Sequence, residues 1–88
     1  MLPKVIKRDG VVEKFSIINI GKVAMASGLT PEQAKSLAES MSRWAESLNV
    51  EQITSVQIRD KMIEELGAMN QNAKDLYQWY EQSKENAV

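Results

Sequence analysis

Apolar residues recur along most of this chain at spacings of three and four, and they alternate only in the first fifteen positions. There, Val5-Ile6-Lys7-Arg8-Asp9-Gly10-Val11-Val12-Glu13-Lys14-Phe15 places apolar residues on both sides of an Asp-Gly pair. That is a strong short-range signal for a β-hairpin, because a two-residue type I′ turn needs positive φ and Gly supplies it at little cost. The pattern predicts a hairpin over about 4–15, with Lys7 and Arg8 ending the first strand. In a two-residue loop Glu13 stands opposite Ile6 and diagonal to Arg8. Neither face of this hairpin is cleanly apolar, and a hairpin of this size is not stable alone. It must lie on the rest of the chain with polar groups caught at the contact.

From Ser16 onward the period is helical. Ser16 is placed to cap a first helix over 17–27, with Ile17, Ile20, Val23 and Ala24 on one face and Gly28 ending it in a left-handed conformation. Thr30-Pro31-Glu32-Gln33 is a complete start signal for a second helix over 31–48. Its inward stripe is Ala34, Leu37, Ala38, Met41, Ala45 and Leu48, with Trp44 at the edge. Residues 49–53 break the period and are expected to be a connector. Thr54-Ser55-Val56-Gln57 repeats the capping pattern and opens a third helix over 55–66, carrying Ile58, Met62, Ile63 and Leu66, with Gly67 as its stop. A fourth helix over 70–83, capped by Asn70 or Asn72, turns Ala73, Leu76, Tyr77 and Tyr80 inward. The expected fold is α+β and mainly α: an N-terminal β-hairpin capping a four-helix bundle, with residues 1–88 as one domain.

Composition narrows the chemistry. The 88 residues contain no Cys and no His, which excludes disulfides, thiolate metal sites and the commonest general base. Carboxylates are the remaining metal ligands, and they are scattered. With 11 basic and 12 acidic residues the formal net charge is −1, so a nucleic-acid partner is disfavoured for these residues alone. No apolar run reaches transmembrane length, and a cytoplasmic location is expected. No Ser has a His partner and no Walker-type Gly-rich loop is present, so a binding or regulatory module is favoured over an enzyme.

Lys7 and Arg8 beside the turn are the main candidates for holding an anion. The Thr54/Ser55 helix start is explained by capping alone, yet its N–H groups and dipole also suit a phosphate, and Arg59 points near the same end. Trp44, Tyr77, Trp79 and Tyr80 are explained by packing, except Trp79, which falls off the apolar stripe and marks a contact surface. The methionines at 25, 41, 62 and 69 are expected as core fillers.

The Val-Ile-Lys-Arg-Asp-Gly-x-x-Glu-x-Phe block is followed by a helix with Ile20 and Ala24. Ile53-Thr54 then opens a helix with Ile58, and Ala73, Tyr77 and Tyr80 follow. In this order the chain resembles the ATP-cone domain from about Pro3 to Gln82. The resemblance implies a non-catalytic, adenine-nucleotide-binding allosteric module. Such modules occur at the N-terminus of ribonucleotide reductases and beside a zinc ribbon in the repressor of reductase genes. By that resemblance Lys7 and Arg8 hold the phosphates of ATP or dATP, with Mg²⁺ carried by the nucleotide, and Val5 and Glu13 lie at the base and sugar. Phe15 and Ile20 line the apolar part, and Thr54, Ser55 and Arg59 close the far side. Two positions depart from the family: Asn19 and Glu81 stand where cations are usual. Lys84, one turn after Glu81, is the candidate replacement. Neither a zinc ribbon nor a catalytic domain lies within these residues, so an excised or a free-standing domain is expected. A protein partner or self-association through the helices is expected for the regulatory role. The alternative is a degenerate cone that serves as a helical protein-interaction module without nucleotide binding.

Overall fold

Asp9 decides the shape of the hairpin. In the computed structural model, which describes residues 2–86 and side chains as far as Ser83, β1 (Lys4–Ile6) pairs antiparallel with β2 (Val12–Lys14). Among the described residues Asn49 alone of the non-glycines has positive φ, so Asp9 does not adopt the conformation a type I′ turn requires. Instead the Gly10 N–H donates to the Lys7 carbonyl at 2.9 Å, and the Lys7 N–H donates to the Val11 carbonyl at 2.8 Å. Gly10 takes up the left-handed position at φ 87°, giving a three-residue loop with a bulge. The Asp9 carboxylate fixes this geometry by accepting from the Val11 N–H at 3.0 Å. The register is therefore one residue from the expected one: Glu13 lies opposite Val5, and Ile6 opposite Val12.

The expected connector contains a third strand. β3 (Gln52–Thr54) runs parallel to β1, with Val5 beside Ile53 and Ile6 beside Thr54, and the sheet order is β2-β1-β3. The sequence reading missed it because three residues with one apolar side chain carry almost no periodic signal. Ile53 is 2% exposed and joins Val5 in the core.

Four helices follow the predicted stripes: α1 (Ile17–Ala26), α2 (Pro31–Ser47), α3 (Ser55–Met69) and α4 (Gln71–Asn86). The Ser16 hydroxyl caps α1, and Thr30 and Thr54 form full capping boxes with Gln33 and Gln57. Gly28 ends α1 at φ 105° and Leu29 is buried behind it. Gly67 does not stop α3, which continues to Met69. It serves packing instead, since a Cβ there would lie 3.1 Å from the Lys74 Cδ of α4. The break comes at Asn70, whose extended backbone ends α3 and whose side chain accepts from the Asn72 and Ala73 N–H groups at the start of α4.

α1 packs on α2, α2 on α3 and α3 on α4, around Leu37, Met41, Met62 and Leu66. Several residues expected inside face out: Ile17, Val23, Met25, Leu48, Leu76 and Tyr80 are all exposed. Trp79 is exposed, as its position off the stripe predicts, and meets Tyr80 edge-on with ring centroids 5.3 Å apart. Among the described residues no helix is long and apolar enough to cross a membrane.

Candidate functional site

The β1–β3 register does the first work of building a site. Because Ile6 pairs with Thr54, the residues that follow each strand, Lys7 and Ser55, emerge side by side. The hairpin loop thus hangs over the N-terminus of α3. One turn further on, Ile58 and Arg59 share the Ser55 face of that helix, and α4 packs alongside with Tyr77 and Glu81 one turn apart. These residues, with Arg8 and Asp9, line a cleft of about 400 Å³. That volume lies in the usual range for small-ligand sites, roughly 300–1,000 Å³. A smaller apolar groove of about 220 Å³ adjoins it along Val23 and Ala26 of α1, sharing Tyr77 and Glu81.

The cleft collects positive charge from a nearly neutral chain. Lys7, Arg8 and Arg59 line it, and the N-terminus of α3 contributes the positive end of its dipole. The Lys7 Nζ lies 3.6 Å from the Glu13 Oε1, and the Arg59 guanidinium lies 3.2 Å from the Asp60 Oδ1. Two carboxylates, Asp9 and Glu81, also line the cleft. Glu81 follows Tyr77 by one turn of α4 on the same face of the cleft. Burial pushes the Tyr77 phenol above its usual range, and the negative charge of Glu81 pushes it the same way, while Arg59 opposes them.

Of the residues singled out from sequence, Lys7, Arg8, Ser55 and Arg59 come together here. Thr54 stands next to them, but its hydroxyl accepts from the Gln57 N–H at 3.1 Å and so serves the helix start. Glu13 is exposed beside Lys7. Val5, Phe15 and Ile20 are core residues, each 8% exposed, and do not line this cleft. Lys84 lies beyond the last described side chain. Ile58 and Tyr77 were assigned to packing alone, although the i, i+4 spacing of Tyr77 and Glu81 was a legible sign that phenol and carboxylate share a face.

The residue types suit a phosphorylated ligand: Arg and Lys beside a helix N-terminus form charge-assisted hydrogen bonds to phosphate oxygens. They do not suit a resident metal, since no three His, Cys, Asp or Glu side chains among the described residues are grouped to hold one. A comparison with curated proteins finds no match. A family model described as the ATP cone domain does match, over residues 3–82, nearly the whole chain. With hairpin, helix start and cationic cleft falling inside that match, the chain belongs to the ATP-cone family.

Proposed function

We propose that this protein binds an adenine nucleotide, ATP or dATP, in the cleft between the hairpin loop, the start of α3 and α4, and uses that binding to regulate a partner. ATP-cone domains are nucleotide-binding regulatory modules rather than catalytic ones, which supports the class. The observation that carries the reading is the convergence of Lys7, Arg8 and Arg59 on one cleft at a helix N-terminus. In it, Lys7, Arg8 and Arg59 take the phosphates with help from the Ser55 end of α3. Mg²⁺ arrives on the nucleotide. Base and sugar extend from the cleft toward the hairpin and α1, the side to which the resemblance assigns Val5, Glu13, Phe15 and Ile20. Lys84 is a further phosphate contact. The regulated partner is a ribonucleotide reductase or its gene regulator, in the cytoplasm. The nucleotide acts by binding one conformation or assembly more tightly than another, since equal affinity for both would shift nothing.

Calorimetric titration with ATP and with dATP tests this directly. The Lys7→Ala/Arg8→Ala double variant should lose binding and keep its helical circular dichroism, because both residues are exposed and outside the core. No heat and no NMR shift changes at millimolar nucleotide would leave the interaction-module reading. That second reading is favoured by one observation, the exposed Trp79–Tyr80 pair on α4.

A further inference from the structure

The small sheet has an outer face and a free edge that the cleft does not use. In the order β2-β1-β3, β2 is paired on one side only, and each of its residues is exposed. The bond from the Lys7 N–H to the Val11 carbonyl makes those residues a hydrogen-bonded pair. Along the register, Val5 and Glu13 are the next such pair, while Ile6–Val12 and Lys4–Lys14 are the closer, non-hydrogen-bonded kind. Val12 and Lys14 therefore turn their N–H and C=O groups to the unpaired edge. Because Val5 is buried between exposed Lys4 and half-buried Ile6, Lys4 and Lys14 stand opposite each other on the face away from the core.

Like charges directly opposite destabilise a sheet. Among the described residues neither lysine makes an ion pair. Glu13 points to the other face, where it meets Lys7. Glu46 and Glu51 share a hollow with Lys4 that Lys14 does not line. Beside this cationic pair, Val12 is 46% exposed and Val11 50%. A lone edge lysine wards off indiscriminate pairing, but a second one directly across from it adds repulsion. We infer that the β2 edge is a docking strand for an acidic, extended segment of a partner protein, which joins the sheet as a further strand. Main-chain bonds to Val12 and Lys14 supply the attachment, and side chains supply the choice. On the outer face an Asp or Glu falls beside Lys14 and a Val or Ile beside Val12, two positions apart in the segment. The carboxylate relieves the Lys4–Lys14 repulsion, and the aliphatic side chain covers Val12. Neither Val12 nor Lys14 lines the nucleotide cleft, and the inference stands whether or not nucleotide binds.

The probe is a blocked hexapeptide alternating Thr with Glu and Val, compared with the same peptide carrying Lys in place of Glu. NMR titration at millimolar peptide should shift the Val12 and Lys14 amides first and slow their exchange with solvent. The acidic peptide should bind about fivefold tighter than the basic one, and Lys14→Glu should reverse that order. Val12→Pro removes an outward N–H without touching the ladder to β1, so it should abolish binding while the amide spectrum stays native-like. If Val12→Pro misfolds, Lys14→Glu decides alone. No binding of the acidic peptide, equal affinity for both peptides, or an order unchanged in Lys14→Glu would overturn the inference. So would shifts centred on Lys7, Arg8 and Arg59, which would place the acidic peptide in the cationic cleft. Protection of the β2 edge that grows with protein concentration alone would assign the edge to a second copy of this chain, and overturn it too.

Discussion

Glu81 and its neighbours show how one side chain can set the balance of a charged site. If the phosphates sit near Glu81, two unit charges at ~8 Å in an effective dielectric of about 20 interact by roughly 2 kcal/mol before salt screening. Glu81→Arg replaces a repulsion by an attraction, and we expect cation-free ATP to bind about tenfold tighter, or about 1.4 kcal/mol. The gain should shrink as salt rises, which calorimetry at two ionic strengths would show. Unchanged affinity in Glu81→Arg, with weakened binding in Lys84→Ala, would move the contact to Lys84. Legibility at this scale was uneven. The cations were visible because Lys7-Arg8-Asp9-Gly10 is a contiguous motif. The place of Tyr77 in the cleft was legible only in part: its i, i+4 spacing from Glu81 puts both on one face, but a tyrosine on an apolar stripe gives no sign that a cleft opens there.

Among the elements, α3 joins stability to binding most closely, because its first turn supplies both a cap and part of the site. Thr54→Ala removes the acceptor for the Gln57 N–H and should cost about 1 kcal/mol. For a domain of this size that lowers the melting temperature by roughly 4–8 °C. Thr30 caps α2 in the same way, accepting from the Gln33 N–H at 3.1 Å, but it is not among the residues that line the cleft. Thr30→Ala should therefore lower the melting temperature without changing nucleotide affinity, whereas Thr54→Ala should do both. The helices were legible because capping boxes and periodic stripes are local signals. The hairpin register was not, because an Asp-Gly pair admits two loop geometries and the Asp9 side chain selects the less obvious one. β3 was hidden for a different reason: its partner is β1, and pairing across α1 and α2 leaves no mark on three residues read alone. Gly67, which lies beside the Lys74 side chain of α4, does not stop α3; the helix breaks at Asn70, whose role as stop and cap only the folded chain reveals.

At the scale of the whole molecule, the cleft joins segments far apart in the chain: the first hairpin, the start of α3 and the last helix. What brings the first two together is the parallel pairing of β1 with β3, and that pairing encloses both α1 and α2. This has a consequence for the order in which the protein folds. Contacts between α1 and α2 are local and close at little entropic cost, whereas closing a long loop to form a parallel pair comes late. Truncating Leu37, buried in α2, should slow refolding, while Ile53→Val should mainly speed unfolding; stopped-flow fluorescence of the half-buried Trp44 would follow both. A ligand that needs the β1–β3 junction finds its site only after the rate-limiting step has passed. Nucleotide at about a hundred times its dissociation constant adds about 2.7 kcal/mol of stability. We expect all of that in the unfolding limb, slowed about a hundredfold, with the refolding rate unchanged. Occupied protein would then outlast empty protein by lifetime rather than by speed of formation, so that the nucleotide level sets how long each molecule persists.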